Sequence, residues 1–252
     1  MKKQLLAGAI AAMAAFNASA LATAGDLAFT TFNADEDGWA MVALTNITAN
    51  STVFFTDNEW SGSAFNAGES YTRWSSGASV INAGSVIRFA KTDSATLLSS
   101  SFGTLTRETV SLSANWGISQ TEDTIYAYLG SSATAPTTFL AAISNGVFGS
   151  ATAGSLAGTG LSIGSGAVQL SAASDFAEYT GARSGQATFA DYKPLVSNVA
   201  NWNDLGDGLF SANAPDTTAF AITPVPEPET FAMLLAGLGL VGAIVRRRRV
   251  AG

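Results

Sequence analysis

"DTIYAYLG", residues 123–130, decides the fold class. Ile125, Ala127 and Leu129 alternate with Tyr126 and Tyr128, a period of two that belongs to a strand and not to a helix. "TTFLAAIS" (137–144) follows as a second apolar run. Upstream, "SVIRFAK" (85–91) sets Val86, Arg88 and Ala90 against Ile87, Phe89 and Lys91. "DLAFTTFN" (26–33), "WAMVALTNI" (39–47) and "STVFFTD" (51–57) are rich in β-branched and aromatic residues. Turn-prone clusters divide these runs: Asp35-Glu36-Asp37-Gly38, Asn66-Ala67-Gly68, Asn82-Ala83-Gly84 and Asn145-Gly146. Short strands with this punctuation predict an all-β, antiparallel sandwich. "TAGSLAGTGLSIGSGA" (152–167) reads as a small-residue loop. Helical signal is weak, with short candidates at Ala172–Glu178 and Tyr192–Val199, and no internal repeat stands out.

The chain has 252 residues, and both ends fall outside this pattern. "MKKQLLAGAIAAMAAFNASALATA" carries Lys2 and Lys3, an apolar run from Leu5 to Phe16, and small residues ending in Ala22-Thr23-Ala24. A cationic start, a short apolar core and an A-x-A exit describe a secretory signal peptide over residues 1–24, with Ala22 and Ala24 as the exit residues. The body, residues 25–222, is long enough for one domain with a substantial core. Of 12 lysines and arginines, six (Lys2, Lys3 and Arg246 to Arg249) lie in the terminal segments, and of 19 acidic residues only Glu227 and Glu229 do. The body therefore sets six basic residues against 17 acidic ones, a formal charge of −11. Such a surface repels nucleic acid and anionic lipid and suits divalent cations or neutral sugars. There is no cysteine and no histidine. Disulfides do not staple the fold, and Ser-His-Asp or Cys-His catalysis and His-ligated zinc are excluded.

The C-terminal segment, residues 223–252, holds Pro226-Glu227-Pro228, an apolar run over 231–245 and then Arg246, Arg247, Arg248 and Arg249. Fifteen apolar residues fall short of the roughly 20 that a spanning helix takes, so the expected short transmembrane helix crosses only a thin or locally pinched bilayer. Arginine clusters stay cytoplasmic. Both ends thus place the body outside the membrane, tethered at its C-terminus. In order, spacing and position this tail resembles a PEP-CTERM sorting signal, found in bacteria that make exopolysaccharide. The resemblance covers about the last 27 residues. It implies recognition by an exosortase, a membrane transpeptidase that acts near Pro226-Glu227-Pro228, with the tail in the inner membrane only transiently. An unprocessed tail anchor is the alternative. In the body, "GDLAFTTFNADEDGWAMVAL", "FFTDNEWSGSAF", "RWSSGASVINAGSVIRF" and "SNVANWNDL" occur in the order seen in a recurring β-domain of bacterial secreted and surface proteins. Its opening is also similar to lamin-tail-like, Ig-like sandwiches. This likeness over Gly25–Leu205 implies a fold and is nearly silent on function.

Four features carry candidate chemistry. Asp35 and Asp37 in the acidic turn are calcium ligands or a solvated turn; the spacing is not that of an EF-hand. Asp57-Asn58-Glu59-Trp60 either contacts a metal or sugar or caps a strand end. Asn201-Trp202-Asn203-Asp204-Leu205-Gly206-Asp207-Gly208 places Asp204 and Asp207 beside glycines that let carbonyls turn inward. Trp39 and Trp74 sit in strand-like surroundings and read as core; Trp60, Trp116 and Trp202, at segment ends, are the candidates for sugar contact. Glycoside hydrolysis needs two carboxyls about 5–10 Å apart; Glu59, Glu69, Glu108 and Glu122 are available, but nothing in the sequence pairs them. The expectation is an exported, exosortase-sorted surface or extracellular-matrix protein, not an enzyme, with a structural or adhesive role in exopolysaccharide or biofilm. A calcium-assisted carbohydrate-binding module is the alternative, and a His-independent hydrolase a third. No cofactor other than calcium is expected.

Overall fold

The computed structural model describes residues 20–110, 113–223 and 233–240. The remainder of the expected signal helix over 1–24, the ends of the expected membrane helix over 231–245, Pro226-Glu227-Pro228 and Arg246 to Arg249 lie outside the described residues. Within 233–240 the chain is helical, with Met233, Leu234, Leu235, Leu238 and Leu240 exposed. Among the described residues no helix is long and apolar enough to cross a membrane.

The body is mostly β, in two sheets. The strands are β1 (Leu27–Asn33), β2 (Gly38–Ala43), β3 (Thr52–Thr56), β4 (Tyr71–Ser75), β5 (Val86–Ala90), β6 (Ser99–Ser100), β7 (Thr104–Arg107), β8 (Thr124–Ser132), β9 (Ala135–Ser144), β10 (Ser162–Ile163), β11 (Gly166–Gln169), β12 (Phe176–Tyr179) and β13 (Trp202–Asp204). The first sheet runs β13-β12-β1-β2-β5-β6 and the second β10-β11-β9-β8-β3-β4-β7. Their facing sides share one apolar core. Trp39 of β2 meets Phe55 of β3 with ring centroids 5.1 Å apart, and stacks on Phe89 of β5 at 5.4 Å. This is the sandwich that the alternation predicts, and Trp39 and Trp74 are core residues as expected.

Three departures from the sequence reading have physical causes. The second sheet is mixed, because β11 pairs parallel with β9 and β10 with β11. The long 145–165 connection lets the chain come back in the same direction, which a tight turn forbids. Part of the "small-residue loop" is therefore sheet. Second, Ala172–Glu178 is not helical. Its latter half enters β12, which pairs antiparallel with β1. The other helical candidate stands, as a 3₁₀ turn at Phe189–Tyr192 followed by the single helical turn α1 (Lys193–Val196). Third, Tyr126 and Tyr128, on the face that the alternation leaves unassigned, are fully buried. They join Phe54, Trp60, Tyr71 and Phe139 in a second aromatic core on the outer side of the second sheet. Segments 59–66 and 147–161 cover it: the Trp60 indole N–H donates to Ala157 O (2.8 Å), and the Tyr126 hydroxyl to Ser155 O (3.1 Å).

The first sheet is covered on its outer side too, and every residue of β1 and β2 is buried. Residues 205–222 run along it from one end of the sandwich to the other. Near the β1–β2 turn, Asn33 Nδ2 donates to Phe210 O and Asn213 O. At the opposite end Phe220 N donates to Gly84 O, and Thr223 N to Gln186 O.

Candidate functional site

Strand direction sorts the body's charge. Asp35, Glu36, Asp37, Asp57, Glu59, Glu69, Asp93, Glu122, Asp123, Asp175 and Asp207 lie in connections, and Asp204 ends β13, all at one end of the sandwich, where β1, β3, β5, β9 and β13 finish and β2, β4, β8 and β12 begin. Asp26, with Lys193 and Arg183, lies at the other end. The acidic end holds two groups of carboxyls.

The first group sits at the end of the second sheet. Asp57 Oδ1 accepts from Ser70 N (2.8 Å) and Ser70 Oγ (2.7 Å), tying the end of β3 to the start of β4. Asn58, fully buried, donates from Nδ2 to Thr56 Oγ1 and Ser70 O and accepts from Glu69 N. Asp123 accepts from Ser119 N and Thr124 N, while Asp123 N donates to Asn145 Oδ1 (2.7 Å). Burial holds Asp57 and Asp123 well above the ordinary aspartate value, and Asp57 adds to the effect on Asp123. Glu69 is pushed up to about 8, by burial first and then by the charges of Asp57 and Glu59. Its Oε2 is buried without a hydrogen-bond partner. Glu69 thus keeps its proton far more readily than an ordinary glutamate, by burial first. Asp57-Asn58 forms a strand-end cap, the structural of the two readings of that string. Of the four glutamates considered for catalysis, Glu59 and Glu69 come within electrostatic reach of each other. Glu108 instead pairs with Arg73, and Glu122 accepts from Thr152.

The second group gathers where the β1–β2 turn meets the 204–210 loop. Asn33 Oδ1 accepts from Glu36 N (2.9 Å), closing the turn, and Asp37 takes a left-handed φ of 54°. Glu36 pairs with Arg88 of β5. Asp37 Oδ1 accepts from Ile118 N (2.7 Å). Its carboxyl is pushed up to about 6, by burial first and also by Asp93 and Asp35. Asp35 accepts from Gln120 and from Phe210 N. Asp175, just before β12, is 2 % exposed; Oδ2 accepts from Gly208 N (2.9 Å) and Oδ1 has no partner. Burial raises it, and the nearby Asp35 and Asp207 raise it further.

The structure therefore brings two of the four candidate metal residues together, Asp35 and Asp207, around Asp175, which the sequence reading missed. Asp37 lies on the Asp93 side of Asp35. Asp204 is already committed: Oδ2 accepts from Ser171 N, and Oδ1 from Ser174 Oγ and Gly206 N. Burial alone would raise it, but these bonds outweigh burial and hold it below the ordinary value. Among the described residues no group of three or more acidic side chains is arranged to hold a metal ion.

The tryptophan candidates need correction. Trp60 and Trp202 are 7 % and 8 % exposed, and their indole N–H groups are spent on Ala157 O and Val196 O. An indole closes a core well once its N–H has a carbonyl, and segment-end position alone does not reveal that. Trp116 is half-buried, with the Arg107 guanidinium 4.4 Å from its ring centroid. The three rings form no common platform. A shallow cleft of about 300 Å³ lies beside Trp60, lined by Glu59, Asn66, Ser150 and Ser155.

Ala22 and Ala24, the expected exit residues, lie in a segment packed on the body. Ala24 O accepts from Lys193 Nζ (3.2 Å), and Gly25 N donates to Leu140 O (2.7 Å).

Beyond the body, the last described residue before the tail is Thr223, at the end opposite the carboxyls. Residues 224–249 match a family model. This segment is a PEP-CTERM protein-sorting motif. The PEP-CTERM motif implies export, transient anchoring in the membrane through the tail, and sorting by an exosortase-type system. No curated protein and no solved structure matches the chain.

Proposed function

We propose that the chain is an exported, non-catalytic surface or matrix protein with a structural or adhesive role in exopolysaccharide or biofilm. The PEP-CTERM motif carries this reading, because it addresses the body to the outside through an exosortase-type partner. The engagement of Asp57, Asp123 and Asp204 in strand-end bonds supports a scaffold over a hydrolase. At −11 the body's charge opposes binding to nucleic acid. Sedimentation of the processed protein with exopolysaccharide from its own host tests the reading. Saturable co-sedimentation supports adhesion to the polymer. Its absence leaves a protein-protein scaffold and moves the search to protein partners.

One observation favours calcium-assisted carbohydrate binding as a second reading. Asp175 Oδ1 is buried and unpartnered, with Asp35 and Asp207 beside it. Three carboxylates do not complete calcium's six to eight oxygens, so water, loop carbonyls or the sugar's own oxygens would supply the rest. Chelation should then lower Tm, and Asp207→Asn should remove that shift. An unchanged wild-type Tm under chelation ends the calcium reading.

A further inference from the structure

Three overlapping A-x-A exits stand at residues 18–24, Ala18-Ser19-Ala20, Ala20-Leu21-Ala22 and Ala22-Thr23-Ala24, and only the last leaves Gly25 first. All three meet the small-residue requirement for signal cleavage. The fold distinguishes them. Ala20 is exposed, whereas Leu21 is 7 % exposed and belongs to the core between the sheets. Ala22 N and Thr23 N both donate to Asp26 Oδ2, at 2.9 and 2.8 Å, and Thr23 Oγ1 donates to Asp26 Oδ1 at 3.0 Å. Lys193 Nζ lies 2.7 Å from Asp26 Oδ1 and 3.2 Å from Ala24 O. Leu21 is thus the first described residue that packs into the body, and the hydrogen bonds of Ala22 and Thr23 to Asp26 follow directly.

We propose that export processing cuts between Ala20 and Leu21, and that Leu21 to Ala24 stay on as the first residues of the mature body. The proposal rests on the export reading above. The step is a hydrolysis: water adds across the amide, leaving the Ala20 carboxylate on the leader and the Leu21 α-ammonium on the body. The enzyme class is a membrane endopeptidase that reads small residues one and three positions before the cut. A cut after Ala24 would remove Leu21 from the core, two amide donors and a hydroxyl from Asp26, and two acceptors, Thr23 Oγ1 and Ala24 O, from Lys193. It would also turn the Gly25 amide, bound to Leu140 O in a left-handed conformation (φ 78°), into a free ammonium.

The test is N-terminal sequencing and intact mass of the full chain after export from a host with the sorting machinery. A body that begins at Leu21 supports the proposal. A body that begins at Thr23 or at Gly25, lighter by Leu21-Ala22 or by Leu21 to Ala24, overturns it and leaves export standing. A chain retained inside the cell and still beginning at Met1 overturns both. Variants give an independent arm. Ala20→Lys should abolish the processed form while Ala24→Lys leaves it starting at Leu21; the reverse pattern overturns the proposal.

Discussion

Glu69 gives the body a pH dependence that runs against the usual one for a carboxylate. Its folded value of about 8 lies above the ordinary 4.5, so between those pH values the fold holds a proton that the unfolded chain gives up. Stability from this group is present in full below pH 4.5 and is lost as pH rises through 8. Asp57 and Asp123 act in the same direction. Glu69→Gln should therefore leave Tm almost unchanged at pH 5 and raise stability by about 1–2 kcal/mol at pH 9, Glu69 being partly solvated. Thermal melts of both proteins across that range check it; an equal fall with pH in the two would assign the effect elsewhere. Asn145 offers a second test. It is fully buried, accepts from Asp123 N, and donates to Ser119 O and Ser174 O. Asn145→Ala leaves three backbone groups short of a partner and should cost about 3 kcal/mol or more in denaturant unfolding. The sequence marks this residue only as half of an Asn-Gly turn. Its partners lie 22 to 29 positions away, and no local pattern registers them. The same applies to the carboxyl group of Asp57, Glu69 and Asp123, and to Asp175 beside Asp35. Each acid looks like an ordinary turn residue until the strands bring the turns together.

At the level of elements, the strands with long alternating or β-branched runs were legible. The alternation in β8 even separates the two faces correctly. What it misses is that the tyrosine face is covered, because the cover is built of Ser, Gly and Ala and carries little apolar signal of its own. β12 was misread because four residues, "FAEY", are too few for a period, and its pairing with β1 overrides local preference. β10, β11 and β13 are shorter than or as short as β12 and went unseen for the same reason. The packing of 205–222 on the first sheet depends on a glycine. Gly84 has φ 90°, and a Cβ there would stand 2.3 Å from Phe220 O and 2.8 Å from the Phe189 ring. Gly84→Ala should cost about 1–3 kcal/mol and speed amide exchange at Phe220 and Ala221. Unchanged exchange at both would show that the segment is held without this contact.

For the whole molecule, composition and the two ends were more informative than any internal motif. Charge sign, the absence of histidine and the Pro-Glu-Pro tail are one-dimensional properties, so they read directly from the chain. Truncation after Thr223 should leave Tm of the body unchanged, because the segment packed on the first sheet is held up to that residue by Phe220 N to Gly84 O and Thr223 N to Gln186 O, and should abolish retention at the cell envelope. Replacing Arg246 to Arg249 by serine should likewise abolish sorting without touching the melt. A lower Tm in either variant would show that the tail packs on the body.

The run of 205–222 along the first sheet also sets the posture of a tethered body. It carries the chain away from the carboxyl-rich turns and releases it at the far end, beside Gln186 and close to Tyr192, whose hydroxyl donates to Ala221 O (2.7 Å). The segment around Gly25 emerges at that end as well, against Lys193. While the tail holds the body at a membrane, an exit at this end would set Lys193 and Arg183 on the side from which the tail leaves, and repulsion from anionic headgroups would favour the acidic end facing away. An acidic polymer meeting that end would settle on it only by bringing its counterions along.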